Sequence, residues 1–227
     1  MSPAGYRPPL GNLLHHPVTQ SPGSQFPVWF MGLKMTPAAR KSVCVFCGSH
    51  LGSEAAYVEA AAATGTALAR AGLRLVYGAG DGGLAAAVAR AATAAGGETL
   101  GVIPAHLVGR DPGLPHADAH VVTETLHERK KIALMNADAI LVLPGGAGTL
   151  DQLLEVLTWH QLGLHRKPIF LLNVAGYWDP LLALVDHIVA QAFAERTLAR
   201  AIESHASVDT LIDRLSARLY RRTLAET

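Results

Sequence analysis

The 227-residue chain has little charge and few aromatic side chains. Charged residues make up 16% of it, aromatic residues 6%, and the formal net charge is +1. A net charge near zero excludes a global field that would attract a nucleic-acid backbone or an anionic membrane, so anion recognition must be local. No apolar run reaches the roughly 18 residues that a membrane span requires. These absences predict a cytoplasmic protein that binds neither nucleic acid nor membrane.

Cysteine is scarce, since Cys44 and Cys47 are the only two, which argues against a secreted disulfide scaffold. Their C-x-x-C spacing is found in redox motifs, but those motifs begin helices, whereas both cysteines lie on an apolar run. We therefore predict two buried strand cysteines. His127, His160 and His165 lack metal-ligand spacing with any cysteine or carboxylate, so we expect no metal and no cofactor.

Residues 1–38 differ from the rest of the chain. They contain seven of the thirteen prolines and no sustained apolar periodicity, which predicts a flexible extension. The features of a secretory signal are missing. Residues 39–227 are long enough to bury one substantial core, and we predict a single nucleotide-binding domain there.

From Lys41 onward, short apolar runs alternate with alanine-rich helical stretches. The predicted strands are 42–47, 73–77, 99–103, 121–123, 139–143, 168–173 and, more weakly, 201–204. The predicted helices are 54–71, 83–95, 126–136, 150–162, 180–192 and 207–221. Uninterrupted apolar strands separated by helices predict an α/β fold, a doubly wound Rossmann-like parallel sheet with helices on both faces. Ligands of such sheets bind beyond the carboxyl ends of the strands.

The most informative loop is P-G-G-A-G-T at 144–149, called here the cradle loop, which joins an apolar strand to an amphipathic helix. Glycines let the backbone approach an anion, and the free N–H groups of the helix's first turn point at it. Thr149 adds a hydroxyl and is a candidate N-cap. No G-K-[ST] follows, so this is not a Walker A loop. The cradle loop predicts a phosphate site.

Two further loops follow strands. G-x-G-x-x-G at 78–83, which includes Gly80, would suggest a dinucleotide, but it follows the second strand and no acid follows the third. A phosphate or ribose contact of a mononucleotide is the simpler interpretation. After the first strand, Ser49 offers a hydroxyl in a tight turn.

A group of cations opens the helix before the cradle strand, in H-E-R-K at 127–130. Cations at a helix N-terminus are unfavourable, so they need an anion, either Glu124 and Glu128 or a ligand phosphate. The planar fork of Arg129 suits a phosphate or a pair of sugar hydroxyls. Aromatic residues such as Tyr177 are typical of packing rather than base stacking.

Together, F-C-G-S at 46–49, the glycine loop at 78–84, H-E-R-K at 127–130 and P-G-G-A-G-T at 144–149 closely resemble the lonely guy (LOG) family. Its members are cytokinin-activating phosphoribohydrolases, often labelled lysine decarboxylases. The resemblance implies hydrolysis of the N-glycosidic bond of adenine-type nucleoside 5′-monophosphates, giving free base and ribose 5-phosphate. It also implies a homodimer.

The loops and the resemblance together define a site. By resemblance alone, Asp111 and Thr158 occupy substrate-contact positions, and Arg129 has a catalytic role together with position 152. The predicted substrate-binding residues are Ser49, Gly80, Asp111, Arg129, Lys130, Gly145, Gly146, Ala147, Gly148, Thr149 and Thr158.

The family motif reads P-G-G-x-G-T-x-x-E, and its last position is Gln152 in this chain. An amide keeps the shape of the acid but accepts no proton, and loss of a general base commonly costs about 10²–10⁴-fold in rate. We therefore expect intact binding with impaired hydrolysis, unless another carboxylate acts. Asp151 points about 100° away around the helix, and Glu155 lies nearly a turn further and deeper.

Two other functions stay open. A non-catalytic carrier of a nucleotide or of the molybdenum cofactor would use the same loop without needing a carboxylate. A decarboxylase needs a buried lysine that forms a Schiff base, whereas Lys130, Lys131 and Lys167 look like surface or phosphate-facing positions.

Overall fold

The computed structural model describes residues 40–80, 82–108 and 117–225, with side chains through residue 220. The predicted extension at 1–38 and the predicted contact Asp111 lie outside these residues. The strands are β1 Ser42–Phe46, β2 Arg74–Gly78, β3 Thr99–Pro104, β4 Ala119–Thr123, β5 Ala139–Val142, β6 Ile169–Leu172 and β7 Ile202–His205. The helices are α1 Ala55–Arg70, α2 Gly83–Ala94, α3 Leu126–Met135, α4 Ala147–Gln161, α5 Asp179–Ala190, α6 Arg196–Arg200 and α7 Val208–Ala225.

All strand pairs in the described chain are parallel, in the order β4-β3-β2-β1-β5-β6-β7. The chain builds outward from β1 to the edge strand β4. Helix α3 then returns it to β5, on the other side of β1, and β6 and β7 follow outward. The strand order therefore reverses between β1 and β5, and in such sheets a crevice forms at this point.

Helices cover both faces of the sheet. On β1, Val43 and Val45 face one core, to which α1, α2 and α7 contribute, while Cys44 and Phe46 face a second core built with α3 to α6. Strands buried on both faces read as continuous apolar runs, which explains the pattern of the sequence. The prediction of a doubly wound parallel sheet is confirmed.

The main difference from the predicted elements lies at α4, which begins at Ala147 rather than near 150. Residues of the cradle loop that look like turn formers thus belong to the first helical turn. The short helix α6 is not predicted, because five residues give too little periodicity to recognise. In the part of the chain that the structure describes, no helix is both long and apolar enough to cross a membrane.

Candidate active site

A cavity of about 630 Å³ opens at the carboxyl ends of β1 and β5, where the strand order reverses. Its wall comes from residues 47–52 after β1, the cradle loop and the start of α4, the first turn of α3, and Tyr177 after β6. Ser49, Arg129, Lys130, Gln152 and residues 145–149 all line it. The structure therefore brings most of the predicted site residues together.

The cradle loop presents the start of α4 to this cavity. Gly146 is the N-cap residue, and no side chain caps the helix. The N–H of Thr149 already donates to the carbonyl of Gly146 at 3.0 Å, so the N–H groups that α4 can offer to an anion are those that precede Thr149 in its first turn. Thr149 is therefore not the N-cap but the third residue of α4. It is only 3% exposed, and its hydroxyl lies beside Gly145.

The cradle loop is held against the loop that follows β1. The N–H of Gly48 donates to the carbonyl of Pro144 at 2.9 Å. A Cβ on Gly145 would lie 2.1 Å from Oγ1 of Thr149 and 2.7 Å from the nitrogen of Gly48. Glycine at 145 is therefore required by the close approach of two backbone segments.

Arg129 reaches the cavity from α3. Its Nε donates to the carbonyl of Val102 on β3 at 3.1 Å. A Cβ on Gly78 would lie 1.5 Å from Nη2, so the guanidinium occupies the space that this glycine leaves open. Burial lowers the pKa of Arg129, although an arginine stays protonated in proteins. No ion pair joins it to a carboxylate of the described chain, which leaves its charge available to a ligand.

Lys130 is held by two carboxylates of α4. Its Nζ lies 3.0 Å from Oδ2 of Asp151 and 3.0 Å from Oε2 of Glu155, and Glu155 also lies 3.5 Å from Nδ1 of His127. Burial acts to lower the pKa of Lys130, but the hydrogen bonds to Asp151 and Glu155 outweigh it, and the pKa is raised. Lys130 lines the cavity as an ammonium that is already neutralised.

The acids of α3 do not balance these cations. Glu128 forms a capping box with Thr125, accepting from its N–H at 3.4 Å, and also accepts from the N–H of Glu124 at 2.9 Å. The anions that the sequence requires at this helix start come instead from α4, which leaves Arg129, of the described cations at 127–130, for a phosphate.

The glycine loop after β2 supports the site, and of its described residues Leu84 lines the cavity. Gly83, with φ of +63°, packs against the backbone of Ser49, and the N–H of Leu84 donates to the carbonyl of Gly48 at 3.0 Å. Of the residues described, Gly80 is not on the cavity wall, so its predicted ligand contact is not placed there. This loop positions the turn after β1, where the hydroxyl of Ser49 lies 3.3 Å from Nδ1 of His50.

Both cysteines carry unreactive thiols. Cys44 is buried on β1, as predicted, whereas Cys47 follows the strand and lines the cavity. Burial raises the pKa of each thiol to about 12, so neither forms the thiolate that redox chemistry requires. Among the described residues, no cluster of three or more metal-ligand side chains occurs.

Similarity to known proteins agrees with this architecture. Residues 85–215 match a family model described as "Possible lysine decarboxylase". The rice (Oryza sativa subsp. japonica) protein named cytokinin riboside 5′-monophosphate phosphoribohydrolase LOG is 42% identical over 176 residues, which are 77% of this chain and 72% of that protein. The Arabidopsis thaliana protein LOG7, of the same printed name, is 41% identical over 184 residues, 81% of this chain and 84% of that protein.

This chain belongs to the LOG family. The molybdenum cofactor carrier protein of Chlamydomonas reinhardtii shares its fold, with a TM-score of 0.61 and 19% identity over 80% of this chain and 99% of that one. The molybdenum cofactor binding protein of Rippkaea orientalis gives a TM-score of 0.60 and 20% identity over 80% and 99%. Identities this low show a common fold alone.

In this LOG-family chain, Gln152, which the resemblance predicts to stand where the family has glutamate, lines the cavity. Asp151 lines it as well, so the 100° between the two side chains does not remove Asp151 from the site. Glu155 lies deeper, as predicted, with 16% of its side chain exposed against 62% for Asp151. Among the described residues, the cavity is therefore lined by one carboxylate, that of Asp151, and Lys130 holds it.

Thr158 does not reach this cavity. It lies about three turns into α4 on an exposed face, and its hydroxyl donates to the carbonyl of Leu154 at 2.8 Å. Its predicted substrate contact is not placed at this cavity and stays a prediction.

Tyr177 and Gly78 take part in this LOG-family site, and neither is predicted as a site residue from the sequence. The sequence predicts a packing role for Tyr177, yet its hydroxyl donates to the carbonyl of Gly145 at 2.7 Å and its side chain lines the cavity. Gly78 makes room for Arg129. The sequence gives one indication that Tyr177 belongs to the site, since it is a polar aromatic residue in a loop at the carboxyl edge of the predicted sheet.

Proposed function

We propose that the cavity binds nucleoside 5′-monophosphates of adenine type and that the chain hydrolyses their N-glycosidic bond, with Gln152 slowing the reaction. The observation that carries this proposal is the uncapped start of α4 beside the unpaired guanidinium of Arg129. Both are anion-binding features, and they share one cavity large enough for a small ligand. The names of the relatives supply the reaction and the cytokinin substrate class.

Each part of the site has a role in this reaction. The phosphate binds the N–H groups of the cradle loop and Arg129, which fixes the sugar in the cavity. Cleavage of the glycosidic bond passes through an oxocarbenium-like state, which a carboxylate stabilises directly or by activating water. Gln152 can orient a water by hydrogen bonding but cannot take its proton. Asp151 is the carboxylate left in the cavity to act as base.

The test follows free base by chromatography after incubation with AMP and with isopentenyladenosine monophosphate. We expect Gln152→Glu to release base about 10²–10⁴-fold faster than the natural sequence. Gln191→Glu, at the end of α5, is the matched control and should change nothing. If Gln152→Glu releases no base, hydrolysis is the wrong function.

Residual activity of the natural sequence identifies its base. Asp151→Asn should abolish that activity if Asp151 replaces the missing glutamate. If the turnover of Asp151→Asn is unchanged, Asp151 is not the base, and the residual activity comes from a water that Gln152 orients.

Gln152 also favours a second candidate, a non-catalytic carrier of a nucleotide or of the molybdenum cofactor. Calorimetry that shows tight binding of the cofactor and none of AMP would support the carrier. A decarboxylase has little support, because Lys130 is paired with two carboxylates and Lys167 is not at the cavity. Contrary to the prediction of a surface or phosphate-facing position, Lys167 is half-buried before β6, and its ammonium contacts the carbonyls of Leu134 and Ala137.

A homodimer is the proposed assembly, and the cytoplasm stays the compartment predicted from composition. Large apolar side chains are exposed around α3 and α4: Met135 (69%), Leu154 (51%), Leu162 (68%) and Leu164 (69%). A second copy packed there would cover them and surround Thr158. Light scattering should give a dimer, and Leu154→Glu should shift it towards monomer. A monomeric natural sequence would contradict the assembly.

A further inference from the structure

The loop between β6 and α5 has a strained backbone that is firmly braced. Ala175 has φ of 54° and ψ of 25°, a left-handed conformation that costs energy in a residue other than glycine. The side chain of Asn173 accepts from the N–H of Trp178 at 2.6 Å and donates to Asp179 at 2.7 Å. Strain of this kind persists only where the surroundings hold it, and it often marks a functional site.

This loop directs one side chain at the cradle loop. The hydroxyl of Tyr177 donates to the carbonyl of Gly145 at 2.7 Å. Its ring packs edge-on against Trp178, with centroids 4.9 Å apart, and against Tyr57 at 5.5 Å. Trp178 is only 3% exposed, so the ring of Tyr177 rests on a fixed support.

The contacted carbonyl belongs to the peptide whose N–H is that of Gly146, the N-cap residue of α4. The C=O of Gly145 and the N–H of Gly146 lie in one rigid plane and point in opposite directions. Fixing the carbonyl therefore fixes the direction of the N–H, and the hydrogen bond polarises that peptide and strengthens the donor. Two adjacent glycines would otherwise leave this plane free to rotate.

We propose that Tyr177 is a positioning residue, whose hydroxyl holds the 145–146 peptide so that its N–H faces a bound phosphate. The proposal rests on the proposed function, since it concerns how the same cavity binds the phosphate of a nucleotide. A packing role for the ring alone is the competing explanation. Positioning requires the hydroxyl of Tyr177 and affects the binding of ligands that carry a phosphate. Packing requires only the ring and affects all ligands alike.

The experiment measures the affinity of Tyr177→Phe, which keeps the ring and removes the hydroxyl, by calorimetry with AMP, inorganic phosphate and adenosine. We expect affinity for AMP and phosphate to fall about 3–10-fold, as the loss of one hydrogen bond predicts. Affinity for adenosine should stay within about twofold, because adenosine carries no phosphate. The control is Tyr220→Phe on the exposed side of α7, which should bind all three ligands as the natural sequence does.

Other outcomes overturn the proposal in distinguishable ways. If Tyr177→Phe binds AMP as tightly as the natural sequence does, the positioning role is wrong and the proposed function stands. An equal loss for adenosine would assign Tyr177 to packing, with the same consequence. If the natural sequence binds neither AMP nor phosphate, the proposed function and this inference fail together.

Discussion

Gly78→Ala should weaken the binding of AMP and leave the free energy of unfolding almost unchanged. The added Cβ would lie 1.5 Å from Nη2 and 2.6 Å from Cζ of Arg129, so the guanidinium has to leave its position. Loss of a charged hydrogen bond to the ligand costs about 1.5–3 kcal/mol, which weakens AMP binding about 10–150-fold. The displaced group is the end of a flexible side chain, so the strand itself need not move.

The expected change in the free energy of unfolding is small. Gly78 is not in the left-handed region, so alanine fits its backbone and stabilises by about 0.4–1 kcal/mol through the unfolded state. Loss of the bond from Arg129 to the carbonyl of Val102 costs about 0.5–1.5 kcal/mol. The two effects nearly cancel, and urea denaturation should show a difference below about 1 kcal/mol.

Two comparisons test the cause. Gly82→Ala is the matched control, because its Cβ would make only an ordinary 3.5 Å contact with the carbonyl of Ser49. In an Arg129→Met background, Gly78→Ala should have no further effect on AMP binding, since the displaced group is gone. The reasoning is refuted if Gly78→Ala binds AMP normally, or if its effect adds fully to that of Arg129→Met.

Three further predictions concern stability. Gly145→Ala should lower the free energy of unfolding by about 1–3 kcal/mol, measured by urea denaturation, because its Cβ would clash with Thr149 and with the backbone of Gly48; an unchanged midpoint would contradict this. Lys167→Met should cost about 1–3 kcal/mol in the same assay, because it removes the ammonium donor to the carbonyl of Ala137 and one of two donors to that of Leu134, which still accepts from the N–H of Ala137; a neutral result would show that water replaces the ammonium. Burial lowers the pKa of His165 below 6.5 although its backbone hydrogen bond raises it, so the unfolded chain takes up this proton first as the pH falls. The contribution of His165 to the free energy of unfolding is therefore complete above about pH 6.5 and declines below it. His165→Gln should reduce the loss of stability between pH 7 and pH 5, and an unchanged dependence of stability on pH would refute this role of His165.

The sheet could be predicted because its strands are apolar on both faces. On β1, residues of opposite faces are equally buried, so the sequence shows a run rather than an alternation, and this pattern distinguishes parallel sheets. The start of α4 was misplaced because Ala147 and Gly148 resemble a loop. Local propensity carries no information about this helix start, because no side chain caps it.

The cavity could be predicted in part. Residues 145–149 and Arg129 were found because backbone N–H groups and a guanidinium are recognisable in short motifs. The partners of Lys130 could not be found, since Asp151 and Glu155 approach it from another helix. Gly78 and Tyr177 act through contacts with residues distant in sequence, and a single chain gives no sign of such pairs.

Residue 152 should affect the affinity of the cavity for a phosphate as well as the rate of hydrolysis, because it changes the charge of the cavity. Asp151 and Glu155 together exceed the single charge of Lys130, and Arg129 restores a local sum near zero. A glutamate at 152 would add one negative charge to the cavity wall where we propose that the phosphate binds. At about 4 Å in water such repulsion is about 1 kcal/mol, or roughly fivefold in affinity. The natural sequence should therefore bind ribose 5-phosphate, which neither form can cleave, about fivefold more tightly than Gln152→Glu, while releasing base more slowly. Equal or weaker binding by the natural sequence in calorimetry would show that residue 152 faces the sugar too far from the phosphate to affect it.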